Sequence, residues 1–515
     1  MFVNKIETIR IPEHPNLIWV KVYTNEGLFG LGETWFGAEA VEADIHSRIA
    51  PLLLGQNPTE IEYIYSKMRP YIGFFGSGVE MRALSALDVA LWDLNGKIKN
   101  VPLYDLLGGK TKSSIRVYNT CAGPNYVSQN ADVRPNNFGT DKINNKKIQL
   151  YEDLDMFMNK PEDLASSLLD MGIKSMKIWP FDFAKGAVTG LEISNEDLKK
   201  YIEPFEKIRK CHGDNIRIKA ELHGIWGLEA SKKICKALEE FDMCWIEDPI
   251  WMDRLDDIPK LAKSTDQPLA GGETLGGLGQ IRQLIEISDV SYPIIDVTWG
   301  GGITFAKKAA AIAESHMKSI AFHDCSGPIT LAVSTHLALA LNNVIEQEIT
   351  RGFYYGWYHE LVNELPLIKN GMISVSDKPG LGVDLNSNLL KKSDLNKSDL
   401  EKLQKKVDDN SKLMLSSSKS ELSNRLYLAQ SLVDRLRSGV PYAPQLVALG
   451  KEGLHPALLR YAKGGAPTIS DLAARLSVRA GELRDADKTK RDSSWRENLK
   501  LSKLIKKKKC LLFDM

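Results

Sequence analysis

Acidic and histidine side chains recur at a regular interval through the middle of this 515-residue chain. Glu221, Glu247, Glu273, Asp296, His323 and Glu348 each close a short apolar run: IRIKAE, MCWIE, PLAGGE, YPIID, SIAFH and NVIEQE. The intervals between them are 26, 26, 23, 27 and 25 residues, about one strand–helix unit each. A (β/α)8 barrel carries the C-terminal ends of its strands to one face, where its chemistry is done. Residues distant in the chain then share one pocket. Glu221, Glu247 and Glu273 in one pocket repel one another unless a cation neutralises them. Oxygen-only ligation selects Mg²⁺ or Mn²⁺ over zinc. Three carboxylates fill half an octahedron and leave room for substrate oxygens. A lone glutamate at a strand end is as readily a solvated charge, but three in register point to a metal site.

The remaining residues suit acid/base work. Asp296 and His323 end neighbouring strands. An aspartate on one imidazole nitrogen orients the ring and leaves the other nitrogen as a base. Alone, His323 would read as a core histidine satisfied by a carbonyl. His223 follows Glu221 by two residues, so strand alternation puts both on one face. It is a candidate second acid/base, against the plainer reading of a capping residue in the turn HGIWG. Glu348 could hold substrate or hydrogen-bond a developing oxyanion; Glu346 alternates to the same face and competes with it. Gly300-Gly301-Gly302 has the look of a phosphate-binding run but lacks P-loop or GxGxxG surroundings, and reads as a tight turn.

The elements that position these residues fall into segments. Residues 1–112 read as an α+β unit: LIWVKVYT alternates as a half-buried strand, a turn at Asn25-Glu26-Gly27 leads into LFGLGET, and helical periodicity covers Val41–Leu54 and Val79–Lys97. Residues 113–365 read as the barrel, with IRVYNT and SMKIWP as its first two strands. The surplus between those two, a polar stretch from Asn125 to Asn145, reads as a loop over the barrel mouth. Residues 366–390, which open PLIKNGMISVSDKPGLGVDL, are expected to pack back on the first unit. Residues 391–515 carry 27 Lys+Arg against 15 Asp+Glu, a balance of +12, whereas the first 390 residues balance at −11. A capping box at Ser398–Glu401, helical spacing over Ser420–Arg437 and the run KKKK at 506–509 make this a basic tail, helical or partly disordered. Such a tail suggests an acidic partner or a solvated extension.

Composition is that of a globular protein, 43% hydrophobic and 26% charged. No run reaches the length of a membrane span, and MFVNKIETIRIPEH lacks a signal-peptide pattern. The six cysteines are scattered without zinc spacing. A cytoplasmic protein with reduced thiols is expected, and neither DNA nor RNA is an expected partner. Cys325 follows a candidate catalytic strand and is the thiol to watch.

At these residues the chain resembles the enolase superfamily in its mandelate racemase-like branch, over about residues 1–390. The motifs are ALDVALWDLNGK followed by PLYDLLGG, the acidic ends in AEL, WIEDP and GGE, the Asp296/His323 pair, and Glu348. The resemblance implies an α/β fold: a modified (β/α)7β TIM-type barrel with an N-terminal α+β capping domain. It implies one Mg²⁺ held by Glu221, Glu247 and Glu273, with Mn²⁺ able to substitute, and abstraction of the proton α to a substrate carboxylate to give an enediolate. Racemase-like relatives carry Lys-x-Lys on the second barrel strand; here that strand reads Lys177-Ile178-Trp179. Glu221-Leu222-His223 resembles the acid-x-histidine pattern of galactonate dehydratase-like enzymes, which implies His323 as base and His223 as acid. The expected activity is dehydration of an acid sugar to a 2-keto-3-deoxy acid by a homo-oligomer. Epimerisation by His323 with Lys177, or cycloisomerisation, is the alternative, and a tail-mediated interaction or membrane-surface role is a non-enzymatic one. Specificity would come from the turn Glu13–Asn16 and the stretch 71–78. Residues 424–480 of the tail resemble the C-terminal segment of bacterial mitofilin-like proteins.

Overall fold

A computed structural model describes residues 1–69, 78–128, 133–140, 151–391, 393–403 and 405. The Ser420–Arg437 helix, the mitofilin-like stretch, the KKKK run and most of the 71–78 segment lie outside the described residues. Met1, Ile6–Ile49 and Pro58–Lys397 form one compact unit, and every candidate site residue lies in it. No described helix is long and apolar enough to cross a membrane.

The N-terminal part is an antiparallel sheet and a long helix. Strands β1 (Val3–Arg10), β2 (Leu17–Thr24) and β3 (Phe29–Trp35) lie side by side, and the helix Val79–Lys99 packs across β3. A close approach explains the glycines of LFGLGET: a Cβ on Gly32 would stand 1.9 Å from the Ala86 carbonyl oxygen. The alternation in LIWVKVYT predicts a half-buried strand, yet all of β2 but Tyr23 is buried. Its outward Lys21 is covered too, ion-paired to Asp384 at 3.1 Å and set over the Phe29 ring.

Eight parallel strands close the barrel: β4 (Ile115–Thr120), β5 (Ser175–Ile178), β6 (Arg217–Glu221), β7 (Trp245–Glu247), β8 (Leu269–Gly271), β9 (Tyr292–Ile295), β10 (Ile320–Phe322) and β11 (Val344–Ile349). Each pairs with the next, and β11 pairs with β4, Gln347 opposite Val117. Inside, Tyr118, Trp245, Ala270, Ile294 and Ala321 form an apolar cluster. Helices fill the crossovers, among them Asn195–His212, whose Ser194 accepts from the Asp197 N–H at 3.0 Å as an N-cap.

The return segment makes two attachments. The hairpin β12 (Leu367–Lys369) and β13 (Met372–Ser374) extends the barrel sheet antiparallel to the start of β4, Ile373 opposite Ile115. Beyond it the chain reaches the long helix, where Leu381 N–H donates to Asp93 at 2.7 Å. The Gly300–Gly302 run is the expected turn and also a helix contact: a Cβ on Gly302 would stand 2.3 Å from Asp88, whose carboxylate accepts from Thr304 N–H at 2.9 Å.

The first described residues after 390 differ from the helical expectation. Asp394–Asp399 is a strand, β14, on the open edge of the N-terminal sheet beside β1. Lys397 reaches Glu7 of β1 at 3.3 Å. The strand is polar and largely exposed, as an edge strand can be, so no apolar period marks it.

Candidate active site

The barrel ring brings the candidate residues to one mouth. Glu221 and Glu247 are register partners at the ends of β6 and β7, and Glu273 follows β8 by two residues. One oxygen from each lies within 4.8 Å of the others. All three are buried. Trp245 donates its indole N–H to Glu247 at 2.6 Å and so fixes that carboxylate. The donor set, three oxygens with no sulfur or nitrogen among them, fits a hard divalent cation.

Lys177, on β5, points its ammonium into this cluster, 2.5 Å from Glu247, 3.0 Å from Glu348 and 3.1 Å from Glu221. Burial alone would raise the Glu221 carboxyl, but Lys177 and the His223 backbone N–H outweigh it and hold the group down at about 2. Glu247, fully buried, is pushed well up, first by burial and then by the neighbouring carboxylates, despite Lys177.

His323 follows β10 and places Nδ1 2.7 Å from Asp296, with Nε2 3.6 Å from Glu273. The other Asp296 oxygen accepts from the N–H groups of Thr298 and Trp299 at 2.7 and 2.8 Å, so a helical turn locks it in place. Burial opposes charge on the ring, yet Glu273 and Asp296 raise its pKa well above the usual value. The Trp299 ring packs 4.8 Å from it.

His223 sits past β6, four strands from His323 in an eight-strand ring and therefore on the opposite side. Its Nδ1 lies 2.8 Å from Asp182 and its Nε2 3.4 Å from the Tyr126 hydroxyl. Burial lowers its pKa, but Asp182 and Glu221 raise it to about 9. Glu348 accepts from Thr120 and, at 2.7 Å, from the Asp324 N–H. Glu346 belongs elsewhere: it pairs with Lys219 at 2.7 Å and with Arg116 and Arg217 toward the start of the strands.

A pocket at the mouth is lined by Lys177, Glu221, Glu273, Glu348 and both histidines. Tyr126 and Val133 also line it, so the polar insertion after β4 reaches the mouth as expected. On the capping side most of the 71–78 stretch lies outside the described residues. Of the described ones, Trp35 and Phe36 at the end of β3 line the pocket, whereas Asn16 of the Glu13–Asn16 turn donates to the Val127 carbonyl at 2.9 Å and braces the Tyr126 loop. Cys325 lines the pocket as a buried thiol pushed up by burial, so it is no ready nucleophile. The sequence reading missed Asp182, Tyr126, Thr120 and Trp299, which lie on turns and loops or at a position no period singles out.

Residues 8–108 match the mandelate racemase/muconate lactonizing enzyme N-terminal domain family, and residues 161–389 the enolase C-terminal domain-like family. A crystal structure of an enolase of the mandelate racemase subgroup from Agrobacterium tumefaciens is 40% identical, with a TM-score of 0.68, covering 78% of this chain and 99% of that one. The chain belongs to the mandelate racemase/muconate lactonizing enzyme family of the enolase superfamily. Another superfamily structure, an enolase protein from environmental sequencing of the Sargasso Sea, is 38% identical over 77% of this chain and 99% of its own, with a TM-score of 0.68. Family membership accounts for the arrangement of capping domain and barrel, and the matched residues 161–389 include Lys177, Glu221, Glu247, Glu273, His323 and Glu348.

Proposed function

We propose that this family member is an acid-sugar dehydratase. The observation that carries the reading is the placing of His323 and His223 on opposite sides of one pocket, with the carboxylate cluster between them. A Mg²⁺ held by Glu221, Glu247 and Glu273 would supply positive charge against the substrate carboxylate as its α-proton leaves. Nδ1 of His323 is committed to Asp296, so Nε2 is the nitrogen that takes the α-proton. Lys177 and Glu348 line the same pocket and orient the carboxylate end of the substrate. His223, from the other side, delivers a proton to the β-hydroxyl. The C–H bond breaks, the C–O bond breaks, water leaves, and the enol product ketonises to a 2-keto-3-deoxy acid.

A 25%-identical structure from Zymomonas mobilis carries the provisional name dehydratase, which favours the same class. A second reading, epimerisation by His323 with Lys177, rests on Lys177 lining the pocket. Against it stands the pairing of the Lys177 ammonium at 3.0 Å with Glu348, a carboxylate outside the proposed metal set, which favours the charged form of the lysine over the free base. Product analysis decides: incubation of acid sugars with Mg²⁺ should yield a 2-keto acid. Inversion and deuterium uptake without a 2-keto acid would favour the second reading.

A further inference from the structure

His223 is held in a way that hydrogen bonding within its own strand does not explain. Its backbone φ is +48°, in the left-handed region that non-glycine residues rarely occupy. Two bonds stabilise that turn: His223 N–H to Glu221 at 2.8 Å, and Gly224 N–H to the Asp248 carbonyl at 2.7 Å. The turn throws the ring toward the pocket, where Trp179 meets it edge-on with centroids 5.8 Å apart.

Asp182 then takes one ring nitrogen. It lies on the turn Pro180–Phe183 that follows β5, is 3% exposed, and sets Oδ2 2.8 Å from His223 Nδ1. Its other oxygen is buried and has no hydrogen-bond partner among the described residues. A buried carboxylate with a single acceptor bond is unfavourable, so a purely structural role for Asp182 is poorly served by this geometry. The arrangement repeats the one across the barrel. There Asp296, from β9, holds Nδ1 of His323, which follows the next strand, at 2.7 Å. Here Asp182, from beyond β5, holds Nδ1 of His223, which also follows the next strand. In both cases Nε2 is the nitrogen left for the pocket. The Tyr126 hydroxyl, 3.4 Å from Nε2 of His223, stands where a substrate hydroxyl would compete for the same nitrogen.

We infer that Asp182 is a positioning residue for His223, forming with it a second aspartate–histidine dyad opposite Asp296–His323. The proton-delivering role of this dyad rests on the dehydratase reading; the positioning itself does not. Asp182 fixes which ring nitrogen bears the internal hydrogen bond and keeps Nε2 aimed at the leaving group, as an orienting carboxylate does for a catalytic imidazole.

The test compares Asp182→Asn and Asp182→Glu with the wild-type, Mg²⁺-loaded enzyme in D₂O. Asp182→Asn should keep Mg²⁺ affinity and the α-proton exchange carried by His323, while elimination falls about 10²-fold or more. Asp182→Glu should restore part of the loss. Equal losses in exchange and elimination, or no loss in either, would overturn the proposal. A substrate-independent readout uses ¹⁵N-histidine-labelled protein. The His223 ring-nitrogen shifts should move in Asp182→Asn and those of His323 should not; unmoved His223 shifts would overturn the positioning. A wild-type enzyme that exchanges but never eliminates, with His223 shifts that still respond to Asp182→Asn, would overturn the dehydratase reading and leave the dyad standing.

Discussion

The ammonium of Lys177 stands 2.5 Å from Glu247 Oε1, deep in the mouth of the barrel. It carries positive charge into a cluster of buried carboxylates that otherwise repel. Removing one partner of a buried ion pair costs about 3–5 kcal/mol, because the other charge is left unpaired. Lys177→Met should therefore lower Tm strongly in EDTA and much less in excess Mg²⁺, where a bound cation takes over the neutralisation. Thermal unfolding with and without Mg²⁺ checks this, and an equal loss in both conditions would speak against a shared site.

Glu247→Gln should weaken Mg²⁺ binding and abolish turnover. The substitution keeps the volume and removes the charge, so calorimetric titration with Mg²⁺ reads the ligand role directly. Undiminished affinity would remove Glu247 from the ligand set.

The two histidines should separate the two halves of the reaction. His323→Asn should abolish both α-proton exchange and elimination, each by about 10²-fold or more. His223→Asn should abolish elimination while exchange persists, since His323 and Asp296 remain at 2.7 Å. The readouts are deuterium incorporation by NMR and 2-keto-acid formation. Loss of exchange in both variants would show that the sides of the pocket are not independent.

Acid should destabilise the fold through His336. This residue is fully buried on the helix Pro328–Ala340, donates Nε2–H to the Leu381 carbonyl at 3.2 Å, and leaves Nδ1 without a partner among the described residues. Burial lowers its pKa from 6.5 to about 4. The folded state then refuses a proton that the unfolded chain accepts, so this contribution is present above pH 6.5 and is lost as pH falls from there toward 4. Its full size is about 3 kcal/mol. His336→Gln should flatten the fall in stability over that window in urea unfolding, and an unchanged slope would assign the acid sensitivity elsewhere.

Much of this arrangement was legible because each catalytic strand ends in a charged or imidazole group that closes an apolar run. Period-two alternation predicts His223 beside Glu221, but β6 ends at Glu221 and a left-handed turn, not alternation, carries the ring there. Nor could alternation choose between Glu346 and Glu348. Both face inward, but two residues are about 6.6 Å apart along the strand. That distance puts Glu348 at the mouth and Glu346 in a lower layer with Lys219. Asp182 was not legible, because a one-turn 3₁₀ segment carries no period and its partner is 41 residues away. Trp35 and Phe36 were not legible for a similar reason: they end a strand, and only the tertiary packing turns them toward the pocket. The strand β14 escaped because DLNKSD is polar and lies on an edge.

That strand also moves the place where the tail can be cut. A chain ending at Leu390 loses β14 and the Lys397–Glu7 pair, whereas one ending at Lys405 keeps both. The longer form should retain most of kcat and its Mg²⁺ affinity, because every candidate site residue lies at or before Glu348. Loss of turnover in the form ending at Lys405 would show that the basic segment contributes to the site.

The most direct test of the account is a single incubation. Wild-type enzyme with Mg²⁺ and a panel of acid sugars in D₂O should give, from at least one of them, a 2-keto-3-deoxy acid, with no product in EDTA and with His223→Asn exchanging the α-proton of the same compound without eliminating. Formation of the 2-keto acid at wild-type rate by His223→Asn, or in metal-free buffer, would contradict the two-sided dehydratase.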